Sequence, residues 1–329
     1  MTKTNLITGF LGSGKTTTIR HLLSQKPENE KWAVLVNEFG EVGIDGALLA
    51  DTGAVLKEIP GGCMCCVNGL PMQVGLNMLL QQAKPDRLLI EPTGLGHPKQ
   101  ILSLLTSEVY QSWLTLNASF CLLDARQLGD ARVVANENFR DQLAAADIVI
   151  VNKIDAYTED DKNKLAEWIA TQDADLLIEQ VSQGQIDYAL LDQPRKNQRE
   201  LPDGKHHHGH SAKPGLAAQG LAALSLPTHQ RWRRALNQAG EYSSCGWIFD
   251  ADTLFDTAGF LDWARLAPVD RLKAVVHIKE GTLRVNRQGD DLHIETLPSA
   301  PVDSRIELIS RNNSDWNALQ SQLLKIRLT

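Results

Sequence analysis

Along its first half the chain alternates short apolar runs with longer amphipathic stretches. The runs at residues 5–8, 32–36, 87–91, 119–124 and 147–151 are too short for core helices and are dominated by aliphatic residues, so they read as strands buried on both faces. Stretches 16–24, 71–82 and 137–146 carry helical spacing instead. This order predicts an α/β fold, a mostly parallel sheet flanked by helices, with ligands at the C-terminal ends of the strands. A further run at 175–181 should supply the last strand, and the loop at Ser182 and Gln183 is a candidate contact to a bound ring.

The pattern breaks near residue 193. Residues 193–215 are polar, interrupted by proline and glycine, and without period, which marks an exposed linker between a domain at 1–192 and a second at 216–329. In the second domain short runs at 221–226, 245–249, 272–278, 281–287, 291–295 and 305–309 outnumber helical stretches at 230–236, 257–266 and 315–324. With a hairpin signal at Gln288-Gly289-Asp290, that predicts a smaller α+β domain built on an antiparallel sheet. The basic cluster Arg231-Trp232-Arg233-Arg234 reads as a helix face.

Composition narrows the classes. The 329 residues carry 40 acidic against 33 basic side chains, a net charge of −7, which argues against nucleic acid as a partner. No signal peptide or membrane-length apolar run is evident, so a cytoplasmic location without membrane association is expected. In such a reducing compartment cysteines serve metals or the core rather than disulfides. Cys121 and Cys245, isolated in apolar runs, are expected in cores.

Four segments carry chemistry. Residues 9–16, Gly9-Phe10-Leu11-Gly12-Ser13-Gly14-Lys15-Thr16, form a complete G-x-x-x-x-G-K-[ST] loop between a strand and a helix. Its backbone amides, through Thr17, would cradle phosphates, Lys15 would reach the β/γ oxygens, and the Thr16 hydroxyl would ligate magnesium, Mg²⁺. The run at 87–91 ends in Glu91-Pro92-Thr93-Gly94, where an acid can hold a magnesium-bound water and the Gly94 amide can approach a γ-phosphate. Asn152-Lys153-Ile154-Asp155 follows an apolar strand, the N-K-x-D pattern of GTP-binding proteins. Asp155 can accept from guanine N1–H and its exocyclic amine, whereas adenine would leave it unpaired.

The fourth segment is Gly61-Gly62-Cys63-Met64-Cys65-Cys66. Three thiols within four residues suit a soft or borderline ion such as zinc, Zn²⁺, although adjacent Cys65 and Cys66 point apart if the segment is extended. Glu38, Glu41 and Asp45 on the preceding loop could ligate metal, orient water or be solvated; Glu41 is the candidate fourth ligand. His206, His207, His208 and His210 in the linker form either a loose chelating tract or a solvated one.

Together GFLGSGKTT, NEFGEVGID, GGCMCC, EPTGLGHP and NKID resemble the CobW-type family of metal-handling P-loop GTPases over nearly the whole chain. The resemblance implies a P-loop NTPase domain followed by a CobW-like C-terminal domain. It also implies a slow GTPase, with GTP, Mg²⁺ and Zn²⁺ as ligands, whose Cys-x-Cys-Cys motif binds zinc for delivery to a client metalloprotein. Some members carry a glutamate where this chain has Val36, so a second metal site there is not expected. A P-loop kinase or ATPase, a cobalt-handling relative and a non-catalytic zinc store remain the alternatives.

Overall fold

The computed structural model describes residues 1–37, 53–59, 70–94, 97–196, 226, 230–239, 242–297, 303–311 and 314–328. The expectations for Glu38, Glu41, Asp45, Cys63, Cys65, Cys66 and the four linker histidines fall outside the described residues. Two compact units divide the chain.

The first unit contains strands β1 (Thr2–Gly9), β2 (Trp32–Asn37), β3 (Val55–Ile59), β4 (Arg87–Glu91), β5 (Leu114–Leu116), β6 (Phe120–Asp124), β7 (Ile148–Asn152) and β8 (Leu177–Gln180). They form a parallel sheet in the order β3-β2-β4-β1-β6-β7-β8, with β5 against the start of β1. Neighbouring side chains in a strand point to opposite faces, and both faces here are apolar. Leu6, Leu35, Leu88 and Ile90 enter one core with Met72, Leu76 and Ile101. Ile7, Val34, Val36, Leu89, Leu122 and Ile150 enter the other with Ile19 and Leu22 of helix Lys15–Ser24. Val36 is 1% exposed, packed as core and not aimed at a ligand. Each such aliphatic side chain contributes about 2 kcal/mol of transfer free energy.

The predicted strands of this unit are found within three residues of their expected ends; helix Leu70–Met78 continued by a π turn at Leu79–Ala83 occupies the stretch expected at 71–82, and helix Glu137–Ala144 ends two residues short of the stretch expected at 137–146. Strand β3 has no counterpart in the sequence reading, because Val55-Leu56-Lys57-Glu58-Ile59 is short and half polar, as an edge strand beside β2 permits. Residues Gln193 to Lys196 stay tied to this unit: Gln193 O accepts from Ala118 N at 2.9 Å and Lys196 N donates to Asp147 Oδ1 at 3.0 Å. Deeper in the same end, Arg87 is 2% exposed, donates to Asp192 Oδ1 at 2.6 Å and stacks on Trp32 with its guanidinium 5.3 Å from the ring centroid. Burial acts to raise the Asp192 pKa, but hydrogen bonds from Arg87 and Lys3 outweigh it and hold the carboxyl below its usual range.

The second unit is built on an antiparallel sheet. Strands β9 (Trp232–Ala239), β10 (Tyr242–Phe249), β12 (Arg271–Ile278), β13 (Gly281–Gln288), β14 (Asp291–Leu297) and β15 (Ser304–Ser310) run in the order β14-β13-β12-β15-β10-β9, with short β11 (Leu254–Phe255) and β16 (Arg327–Leu328) at one corner. Helices Thr257–Leu266 and Trp316–Lys325 supply Phe260, Trp263, Leu319 and Leu323 to a core with Trp247, Phe249, Leu272 and Leu308. The hairpin at Gly289 turns with φ 55° as its sequence signalled.

The basic cluster 231–234 lies on a strand, not on a helix face. Residue-for-residue pairing of β9 with β10 decides the outcome: Trp232 stacks on Phe249 with ring centroids 6.3 Å apart, while Arg234 reaches Asn317 Oδ1 at 2.8 Å. Long-range pairing outweighs local helix preference there. Cys121 and Cys245 are 2% and 0% exposed, and burial pushes both thiols up to about 12. Neither is a metal ligand in waiting at neutral pH.

Candidate functional site

Strand β1 runs straight into the phosphate-type loop. Helix Lys15–Ser24 starts directly after Gly14, whose φ of 101° is left-handed. A side chain at Gly14 would collide with Asn152 Nδ2, so the loop and the end of β7 approach through a glycine. Successive amides at the helix N-terminus then face one region, where the helix dipole also favours an anion. Lys15 is 6% exposed and its Nζ lies back on the loop, donating to Gly9 O at 2.8 Å and Phe10 O at 3.3 Å.

The end of β4 meets this loop. Thr16 Oγ1 donates to Glu91 Oε1 at 3.2 Å, which brings together a hydroxyl and a carboxylate 75 positions apart in sequence. Two oxygen donors beside a phosphate cradle match the preference of Mg²⁺ for hard ligands, so these residues fit that ion. Gly94 packs against Leu11: an added Cβ would sit 3.0 Å from Leu11 N. No larger residue fits that approach.

Three carboxamides brace the two loops from behind. Gln127 Nε2 donates to Leu11 O at 2.8 Å, Asn152 Nδ2 to Ser13 O at 3.0 Å and Gln142 Nε2 to Gly94 O at 3.1 Å. Each neutral donor fixes a carbonyl without adding charge beside a phosphate site. Asn152 also accepts from Gly184 N at 2.9 Å through Oδ1, and its backbone O accepts from the Tyr157 hydroxyl. At 1% exposure it joins the phosphate loop, the end of β7 and the loop at 182–185.

Past Asn152 the chain turns through Lys153, whose φ is 64°, into a short 3₁₀ turn at Ile154–Ala156. Lys153 Nζ lies 3.4 Å from Asp124 Oδ2, and Asp124 is also held by Arg126 at 3.0 and 2.7 Å. Asp155 is exposed, as a carboxylate that accepts from a ligand must be. The structure therefore brings Gly9, Gly12, Ser13, Gly14, Lys15, Thr16, Thr17, Glu91, Gly94 and Asn152 to one end of the sheet, with Lys153 and Asp155 on the turn beyond. Sequence reading missed Gln127 and Gln142, since neither belongs to a motif and their partners lie 116 and 48 positions away.

Comparison with known proteins shows what the chain is similar to. Residues 3–180 match the CobW/HypB/UreG nucleotide-binding domain. The zinc chaperone YeiR of Escherichia coli strain K12 is 66% identical over 329 residues, covering 100% of this chain and 99% of that protein. The zinc chaperone YjiA of the same strain is 35% identical over 192 residues, 56% of this chain and 59% of that protein. The crystal structure of Zn(II)-bound YjiA GTPase from E. coli aligns at a TM-score of 0.44 and 20% identity over 99% of both chains. With a matching domain over more than half its length and a relative alike from end to end, the chain belongs to the CobW/HypB/UreG family.

Proposed function

We propose that this protein is a zinc-handling GTPase that hydrolyses GTP to GDP and phosphate and delivers zinc to a client metalloprotein. The observation that carries the reading is Asn152, the last residue of β7, which ties the phosphate loop to the strand whose exit turn carries Asp155. In the same reading residues 1–192 form the GTPase domain, 193–215 the linker and 216–329 a CobW-like domain, and the whole works in the cytoplasm.

The triphosphate lies along the amides from Gly12 to Thr17, with Lys15 released from Gly9 and Phe10 to meet the β/γ oxygens. Thr16 and Glu91 would hold Mg²⁺, which would supply positive charge beside the transferred phosphate. Glu91 stands at the γ-phosphate end, where the Gly94 amide receives that phosphate. Asp155 reads guanine, and Asn152 and Lys153 fix the loop that presents it. Arg126 is committed to Asp124. No arginine-finger motif is evident in the sequence, so turnover is expected to be slow.

Zinc is cargo, held by Cys63, Cys65 and Cys66 with Glu41 as fourth ligand. The relatives' names, the zinc chaperones YeiR and YjiA, support that choice of metal. Metal analysis of the native protein beside Cys65→Ser, with hydrolysis of GTP and ATP measured on both, tests the whole reading. Expected are stoichiometric zinc in the native protein only, and turnover of GTP but not ATP. Full zinc in the serine variant, cobalt in place of zinc, or equal turnover of ATP would contradict it.

A further inference from the structure

Gln142 is 1% exposed on helix Glu137–Ala144, in a position where leucine would pack with no polar group to satisfy. Burying a carboxamide costs about 1–3 kcal/mol unless it is bonded, so its donation to Gly94 O at 3.1 Å has a structural purpose. Two neighbours on the same helix make related contacts. Asp141, 7% exposed, has Oδ2 3.0 Å from His97 Nδ1, three residues beyond Gly94. Phe139 meets Phe10 of the phosphate loop edge to face, with centroids 5.7 Å apart and planes at 89°.

One helix thus grips the phosphate loop through Phe139 and both sides of the β4 loop through Gln142 and Asp141. We infer that helix Glu137–Ala144 is the element that sets the γ-phosphate contact, with Gln142 as a positioning residue that distinguishes GTP from GDP without touching either. The inference rests on the GTPase reading, in which the Gly94 amide meets the γ-phosphate. Gly94 lacks a side chain to steady its backbone, and the close approach to Leu11 leaves no room for one. The grip therefore comes from behind, at the Gly94 carbonyl. Because only a triphosphate reaches Gly94, the effect of losing this bond is confined to triphosphate ligands.

Affinities of the full-length protein for a fluorescent GDP and for a fluorescent non-hydrolysable GTP analogue, together with single-turnover GTP hydrolysis, test this in wild type, Gln142→Leu and His97→Ala. Gln142→Leu should weaken the analogue and slow hydrolysis by about tenfold each, the worth of one buried hydrogen bond, while GDP affinity stays within about twofold. His97→Ala removes the outer contact at a side chain 29% exposed, and should show the same selective loss at roughly threefold. Equal weakening of GDP and analogue in either variant, or no change in both, overturns the positioning role. If Gln142→Leu fails to fold, the His97→Ala result decides. Wild-type protein that binds the analogue normally while the variants match it sinks the inference alone; wild-type protein that binds neither nucleotide sinks the GTPase reading and the inference with it.

Discussion

Asp155→Asn is expected to move base preference from guanine to xanthine. The carboxylate at the exit of β7 is exposed and sits on a turn fixed by Lys153 and Tyr157, so the substitution changes hydrogen-bond polarity without disturbing a core. Guanine offers two donors to Asp155; asparagine answers one of them with a donor of its own. Bonds to a charged partner contribute about 1.5–3 kcal/mol each, so losing the charge on one and setting donor against donor at the other should weaken GTP by roughly 10²- to 10⁴-fold. Xanthine, which carries a carbonyl in place of the amine, should bind the variant better than the native protein. Competition of GTP, XTP and ATP against a labelled guanine nucleotide measures this. A variant whose GTP affinity stays within about threefold of native would show that Asp155 does not read the base.

The largest expected loss of stability lies in the other unit, at Arg287. This side chain is 5% exposed on β13, and its guanidinium donates to Ala264 O at 2.8 Å, Arg265 O at 2.6 Å, Ala267 O at 2.6 Å and Val269 O at 2.7 Å. Those are the carbonyls that helix Thr257–Leu266 and the turn after it leave without helical partners, at the negative end of the helix dipole. Burial lowers the arginine's pKa, against the pull of Asp290 and Asp270, but an arginine stays charged throughout the useful pH range. Arg287→Met would remove four hydrogen bonds at once, with Ala267 O keeping its bond from Val269 N, and should cost about 3–5 kcal/mol, a large share of the 5–15 kcal/mol typical of a domain. By contrast Lys162→Ala, which breaks an exposed pair with Glu159 at 2.6 Å, should cost no more than about 0.5 kcal/mol. Urea unfolding followed by tryptophan fluorescence compares them. Similar midpoints for the two variants would show that the arginine is not the helix terminator described.

What the sequence made legible, and what it did not, separates by range. Doubly buried parallel strands such as Ile148–Asn152 announce themselves because both faces are apolar, and the glycines of the phosphate loop mark a backbone that few other residues allow. Strand β9 was hidden because Arg231, Arg233 and Arg234 look like a solvated helix until β10 is laid beside them. The candidate site divides the same way. Lys15, Thr16 and Glu91 are motif residues, and their meeting follows from strand order. Gln127, Gln142 and Arg287 act through single carbonyls far away in sequence, a kind of contact that leaves no periodic or compositional trace.

The proposed function carries one more expectation: zinc affinity follows nucleotide state, because Glu41 as a zinc ligand would be held differently with GTP and with GDP. Linkage is reciprocal, so a phosphate that changes the zinc site must have its own affinity changed by zinc to the same degree. Chelator competition for Zn²⁺, run on the full-length protein with GDP, with a non-hydrolysable GTP analogue and with the matching ATP analogue, measures that coupling. The account predicts zinc affinities that differ by about fivefold or more between the two guanine nucleotides, and no response to the ATP analogue. Equal zinc affinity with GDP and the GTP analogue, or an equal response to the ATP analogue, would contradict it.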